Sequence, residues 1–175
     1  MTDITDISEN DFDMLSCDIQ DHFKTPYSLK QHKSVGLDDT YVLQLSSNSE
    51  SNQILAGLSN QSIQIFDGLE LNKLHTQTFE KPVIDAKFSP VDAQLFYAGF
   101  DDQIQLWDLR TPKKPVLKCD LTENIENGHK NKPFLSFDVN KDDRYLSCGT
   151  QVVNNDAFVL FWDIKASGKF LGGKI

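Results

Sequence analysis

One short pattern occurs three times in this chain: a turn-forming residue, a run that alternates apolar and polar positions, and an aromatic residue followed by aspartate. The copies are SNQSIQIFDG at residues 59–68, DDQIQLWDLR at 101–110 and NDAFVLFWDI at 155–164. Successive side chains of a β-strand point to opposite faces of a sheet, so each alternating run predicts a strand. The turn formers are Asn60, Asp101 and Asp156, and aspartate suits a tight turn because its side chain bonds the neighbouring backbone.

The second copy indicates how such a strand uses its two faces. Ile104 and Leu106 are predicted to point one way, and Gln103, Gln105 and Trp107 the other. We therefore expect a strand whose two faces pack against different surroundings.

Each copy ends a longer unit. Upstream of each lies an apolar run that ends in a small residue and a glycine, at 53–57, 94–99 and 145–149. A further apolar run precedes each of these, at 41–45, 83–88 and 134–139, and outer strands can form at 71–79 and 115–121. Phe66 and Trp107 lie 41 positions apart, and Trp107 and Trp162 lie 55 apart because of insertions around 122–132 and 152–155. A period of about 40 residues with four strands per unit is typical of one blade of a β-propeller.

These units resemble the WD-repeat family over about residues 41–165. The resemblance implies an all-β fold, an incomplete WD-repeat β-propeller of about three four-stranded antiparallel blades, at about 41–80, 81–122 and 132–170. The residues that we expect to hold these repeats together are Asn60, Phe66, Asp67, Asp101, Trp107, Asp108, Asp156, Trp162 and Asp163.

The chain departs from the family pattern in the side chains that often tie a blade together. Thr78-Phe79 stands where the family has Gly-His, and Ala98 stands where it has serine. The dipeptide Gly128-His129 occurs before the third unit but is displaced by about one position. We therefore expect no complete side-chain network of the family type in any blade.

The length of 175 residues limits how such blades can assemble. Propellers close with roughly four to eight blades, and each blade buries its apolar faces only against its neighbours. Three blades cannot close a ring, so we expect a fragment, a splice form or the product of an incomplete gene prediction. The final segment IKASGKFLGGKI is brief and rich in glycine, which gives weak support for a last outer strand.

The formal net charge of -9 is concentrated at the N-terminus. Residues 1–21 hold seven acidic residues and no lysine or arginine, which favours a solvated, disordered leader at 1–24 before a partial propeller at 25–175. One alternative is an acidic arm for a basic partner. Another is a ring-closing strand, because Leu15, Cys17 and Ile19 alternate and the family often completes its last blade in this way.

The three cysteines favour an intracellular location. Cys17, Cys119 and Cys148 are odd in number and lack CxxC spacing, so they are typical of buried thiols in a reducing compartment. The acidic N-terminus lacks the apolar core of a signal peptide, and no apolar run approaches the length of a membrane span. We expect the cytoplasm, the nucleus or both, and no membrane partner.

Motifs for catalysis or cofactor binding are missing from the sequence. The four histidines have no ligand-like spacing, and no phosphate-binding glycine loop or nucleophilic serine elbow occurs. Basic residues are scattered apart from Lys113-Lys114 and the lysines at 130 and 132, which does not favour a nucleic-acid groove. We therefore predict no enzyme, no metal and no cofactor, and other proteins as the partners.

The leading functional interpretation is a non-catalytic scaffold for protein–protein interactions, because blade cores use the apolar residues and leave the loops for recognition. An alternative is a substrate receptor for a cullin-type ubiquitin ligase, since the second blade resembles the family's adaptor-docking motif. The docking motif would be Trp107-Asp108-Leu109-Arg110, in which Trp107, Asp108 and Arg110 are the candidate partner-binding residues. Tyr97 departs from the small residue that the motif has at its position. A weaker alternative is a scaffold for ribonucleoprotein or ribosome assembly.

Overall fold

The structure is a computed structural model that describes residues 33–37, 39–48, 50–121, 134–152, 157–166 and 169–172, with only the backbone described at 169, 170 and 172. The chain divides into two compact units, Met1–Ser34 and Val35–Ile175, and all the described strands lie in the second. The acidic leader, its predicted strand at Leu15, Cys17 and Ile19, the turn residue Asp156 and the dipeptide Gly128-His129 lie outside the described residues.

Three four-stranded antiparallel sheets form the fold, one for each predicted blade. The first blade consists of β1 (Val42–Asn48), β2 (Gln53–Leu58), β3 (Ser62–Asp67) and β4 (Lys73–Thr78). The second consists of β5 (Asp85–Phe88), β6 (Leu95–Gly99), β7 (Gln103–Asp108) and β8 (Leu117–Asp120). The third consists of β9 (Phe134–Val139), β10 (Tyr145–Thr150), β11 (Val159–Asp163) and β12 (Lys169–Gly172). The described residues contain no helix, and the predicted all-β, unclosed set of blades is confirmed.

The last outer strand forms despite the glycine-rich sequence that supports it weakly. β12 pairs with β11, with Trp162 opposite Phe170 and Asp163 opposite Lys169. The register shifts between Phe161 and Trp162, which indicates a bulge or irregularity in this pairing. Backbone pairing along an open strand edge depends little on side-chain identity, so a strand with weak propensity can still form there.

Neighbouring blades pack through two apolar clusters. The cluster between the first and second blades includes Leu55, Ile63, Ile65, Phe96 and Trp107. The cluster between the second and third blades includes Tyr97, Ile104, Leu106, Leu160 and Trp162. The predicted alternation of β7 is therefore confirmed, because Ile104 and Leu106 contact one neighbour and Trp107 contacts the other. Both faces of the middle blade are buried.

Polar side chains join the second and third blades across this apolar contact. Asp85 of β5 is buried, and its carboxylate accepts hydrogen bonds from the backbone N–H of Ala86 at 2.9 Å and of Phe137 at 3.1 Å. The carboxylate of Asp143, in the β9–β10 turn, accepts the Tyr97 hydroxyl at 2.6 Å. These contacts set how the two sheets stack, because each has a defined distance and direction.

Candidate partner-binding site

Trp107 is a packing residue rather than a contact surface. It lies in β7 opposite Phe96, and its side chain is buried between the first two blades. Its indole Nε1 donates to Oε1 of Gln105 at 3.0 Å, so the buried N–H is satisfied within its own strand. Phe79 packs edge-on against the indole with ring centroids 5.4 Å apart. Gln105 and Phe79 are thus the side chains that satisfy the N–H and pack against the ring of Trp107.

Asp108 ends β7 and organises the loop after it. Its carboxylate Oδ1 accepts the backbone N–H of Arg110 at 2.9 Å, which closes a turn through the aspartate side chain. The equivalent aspartates do the same in the other blades: Asp67 accepts the N–H of Leu69, and Asp163 accepts that of Ala166. The aspartate of each aromatic–aspartate pair is therefore a turn cap.

The guanidinium of Arg110 folds back onto Asp108 as a two-point ion pair. Nε donates to Oδ1 and Nη2 to Oδ2, both at 2.8 Å. The side chain of Asp108 is 16% exposed and that of Arg110 57% exposed. The hydrogen bond from Arg110 lowers the pKa of the Asp108 carboxyl, and the same bond raises the pKa of Arg110. This geometry fixes the direction of an otherwise flexible side chain.

A second carboxylate reaches Arg110 from another loop. Nη2 also donates to Oδ2 of Asp92, in the β5–β6 turn, at 3.2 Å. Asp92 in turn accepts the backbone N–H of Gln94 at 2.8 Å, so its own position is set by the turn. Arg110 therefore connects two loops at one end of the second blade. Its Nη1 has no hydrogen-bond partner among the described residues, so Nε and Nη2 make its carboxylate contacts.

The loop that begins at Arg110 is concave and basic. Its surface concavity of about 810 Å3 is lined by Arg110, Thr111, Pro112, Lys113, Lys114, Pro115 and Val116. A neighbouring groove of about 400 Å3 lies between the first two blades and shares Lys113 and Pro115 with it. Phe79, Phe100 and Trp107 also line this groove. The surface around Arg110 thus combines three cationic side chains with nearby aromatic rings.

The turn at Asp101 differs from expectation. Its carboxylate bonds the Lys81 ammonium at 3.4 Å rather than the backbone of its own turn. Asp102 makes the shorter contact to the same ammonium, at 2.7 Å. Lys81 therefore pairs with both carboxylates of this turn. In the first blade, Asn60 also bonds a side chain, accepting the Ser62 hydroxyl at 2.6 Å.

The remaining predicted repeat residues are buried in the blades. Phe66 packs with Ala56 and Leu58 on the face of the first blade that points away from the second. Trp162 lies in the cluster between the second and third blades. Of the three candidate partner-binding residues, Trp107 is buried and Asp108 is mostly covered. Arg110 alone is well exposed, and Asp108 orients its guanidinium.

Sequence reasoning missed Asp92 and Gln105, which hold Arg110 and Trp107. Asp92 follows Ser89-Pro90, and a cluster of this composition predicts a capped turn. The contact between Asp92 and Arg110 could not be predicted from local sequence, because the two residues are 18 positions apart.

Tyr97, which departs from the docking motif, is buried against the third blade.

Within the described part of the chain, no group of three or more His, Cys, Asp or Glu residues could hold a metal ion. The described residues also contain no helix that is long and apolar enough to cross a membrane. Cys119 and Cys148 are free and buried, and burial raises the pKa of both thiols to about 12.

Comparison with known proteins supports the fold. No family model matches the chain. The crystal structure of the Myceliophteria thermophila Cps50 (Swd1) β-propeller domain is similar, with a TM-score of 0.61 and 17% sequence identity over 76% of this chain. The chain spans 41% of the length of that domain. At this identity the likeness shows the fold alone, which is that of a β-propeller. Matches number 1073 solved chains, so the fold by itself selects no function.

Proposed function

We propose that this protein is a non-catalytic scaffold that binds other proteins through the loops of its blades. The observation that carries the proposal is the loop at Arg110, where an exposed guanidinium is held in place at the rim of a packed blade. A pre-oriented arginine loses little conformational freedom on binding, and its planar fork suits carboxylates and carbonyls of a partner. The apolar side chains of the second blade are used in contacts with its neighbours, which leaves the loops for recognition.

The alternative that Arg110 favours is a substrate receptor that docks on the adaptor of a cullin-type ubiquitin ligase. The position of Arg110 supports it: Trp107 and Asp108 are hydrogen-bonded at the end of β7, and Arg110 lies two residues beyond that end. The two carboxylate contacts of Arg110 weigh against the ligase alternative. A partner must compete with Asp108 and Asp92 for the guanidinium or bind Nη1. Adaptor capture therefore tests this alternative directly.

The test is Arg110→Ala, compared with Arg144→Ala. Arg144 is 53% exposed and bonds the equivalent aspartate, Asp163, at 3.4 Å, so it is a matched arginine in the third blade. We expect Arg110→Ala to abolish capture of the purified adaptor and Arg144→Ala to preserve it, with melting of both variants close to that of the parent. Absence of capture by the parent chain would remove the ligase alternative and leave the scaffold proposal standing.

We further propose that this chain is related to WD repeat-containing protein 89. The stretch FLSFDVNKDDRYLSCGTQVVNNDAFVLFWDIK resembles the third repeat of WD repeat-containing protein 89, including the long insertion before Asp156.

Co-purification followed by mass spectrometry separates the candidate roles. Adaptor subunits support the receptor role, and ribosomal or ribonucleoprotein factors support the weaker assembly role. Recovery of no reproducible protein partner would contradict the scaffold proposal itself.

For location we propose the cytoplasm or the nucleus. Cys119 and Cys148 are free thiols, which supports a reducing compartment. Fractionation of cells that express the tagged protein tests this, and its recovery in the secretory pathway would contradict it.

A further inference from the structure

Three dipeptides in the chain join a hydroxyl residue to proline: Thr25-Pro26, Ser89-Pro90 and Thr111-Pro112. Such dipeptides are the acceptor sites of proline-directed serine/threonine kinases, and one class of these enzymes prefers a basic residue three positions after the acceptor. Only Thr111 has one there, Lys114, and Lys113 precedes it. The corresponding residues are Ser28 after Thr25 and Asp92 after Ser89. The sequence therefore favours Thr111 among the three.

The structure separates Ser89 from Thr111 more sharply. Ser89 is 1% exposed, and its Oγ donates to Oδ2 of Asp143 at 2.8 Å. The same Oγ accepts the backbone N–H groups of Val91 at 3.2 Å and Asp92 at 3.1 Å. A kinase cannot reach this hydroxyl without opening the contact between two blades. Thr25 lies outside the described residues.

Thr111 has the opposite surroundings. It lies in the loop between β7 and β8 and is exposed. Its backbone N–H donates to the carbonyl of Asp108 at 3.0 Å. Such loops open at low free-energy cost compared with the strands that they connect, so this segment can enter an enzyme cleft.

Thr111 also shares its concavity with three cations. Arg110, Lys113 and Lys114 line the same surface of about 810 Å3. A phosphothreonine carries about -1.5 to -2 charges and three strong acceptor oxygens. Arginine binds phosphate through two parallel hydrogen bonds, and neighbouring lysines add attraction as point charges. The product of phosphorylation would therefore be stabilised where it forms.

We propose that Thr111 is a phosphorylation site for a proline-directed kinase that prefers a basic residue three positions after its target. The Thr111 Oγ1 attacks the γ-phosphorus of ATP, its proton passes to the catalytic base of the kinase, and ADP leaves. The new phosphate competes with Asp108 and Asp92 for the Arg110 guanidinium. Modification would thus change the surface charge and the ion pairs of this loop, whether or not the loop binds a partner.

The experiment treats the full 175-residue chain with a cyclin-dependent kinase and ATP, and locates phosphate by peptide mass spectrometry. We expect phosphate on Thr111, its loss in Thr111→Val and its return in Thr111→Ser, which keeps an acceptor hydroxyl. Lys114→Ala should slow modification of Thr111 several-fold, whereas Lys118→Ala, outside the recognition segment, should not. Far-UV circular dichroism of each variant checks that the sheets remain folded.

Two outcomes would overturn the proposal. One is the absence of phosphate on Thr111 under conditions that fully modify a control substrate of the same kinase. The other is modification confined to Thr25 or Ser89, which would show that the two lysines after Thr111 do not direct the enzyme.

Discussion

Phe161 occupies in the third blade the position that Leu106 occupies in the second, immediately before the tryptophan, yet 43% of Phe161 is exposed against 7% of Leu106. In the second blade this face packs against the third. In the third blade, Tyr145 of β10 lies on the same face as Phe161, because it pairs with Asp163, two positions along β11 from Phe161. Tyr145 is exposed as well. The described residues place no further sheet against this face. It is thus an apolar surface of the kind that blades normally cover with a neighbour.

The isolated chain should associate through this face. Phe161→Gln removes the largest exposed apolar group of β11, and full burial of such a side chain contributes about 1.5–3 kcal/mol. We expect association to weaken about tenfold or more in sedimentation velocity. Val116→Gln, an exposed apolar residue in the β7–β8 loop, is the matched control and should change little. A monodisperse, cooperatively unfolding parent chain would contradict this prediction.

Gly99→Ala should destabilise the chain, whereas Gly149→Ala should not. A Cβ at Gly99 would lie 2.6 Å from Cε1 of Phe134, a ring of the next blade. A Cβ at Gly149, the equivalent position of the third blade, would meet nothing within 4 Å. Overpacking of this kind costs about 1–3 kcal/mol, which chemical denaturation can measure. Equal effects of the two substitutions would show that the second and third blades do not stack as described.

The hydrogen bond between Tyr97 and Asp143 should contribute measurably to stability. Tyr97→Phe removes the hydroxyl that lies 2.6 Å from the carboxylate, and losing a hydrogen bond to a charged group costs about 1.5–3 kcal/mol. Tyr145→Phe removes the hydroxyl of an exposed tyrosine and should cost much less. Unfolding free energies of the two variants, measured in parallel, decide the question. Similar small losses would mean that the Tyr97–Asp143 hydrogen bond contributes little to joining the blades.

Stability should fall at alkaline pH because of the buried thiols. Burial raises the pKa of Cys119 and Cys148 from 9.0 to about 12, and burial also raises the pKa of Tyr97. The unfolded chain then releases these protons at lower pH than the folded chain, so the unfolding free energy is unaffected below about pH 9 and declines towards pH 12.

Denaturation at pH 8 and at pH 11 measures this decline. The double variant Cys119→Ala with Cys148→Ala should show a shallower decline, whatever its stability at pH 8. An identical pH dependence in the variant and the parent would assign the effect to other groups.

Local sequence determines most of the strands. Alternation over six residues requires only that side chains of a strand point to opposite faces, so Ile104 and Leu106 could be separated from Trp107 before any contact was known. The aromatic–aspartate pairs likewise marked the ends of β3, β7 and β11, because an aspartate can cap the turn that follows within its own loop.

Tertiary structure alone decided which of these side chains remain accessible. Trp107 and Arg110 are three positions apart, but stacking against the first blade buries one, and a carboxylate from the β5–β6 turn orients the other. Ser89 and Thr111 both precede proline, yet Ser89 is covered because Asp143 reaches it from the neighbouring blade. The sequence determined the strands through interactions between near neighbours in the chain. Exposure depended on contacts between residues about 20 to 50 positions apart, which exist only when the sheets stack.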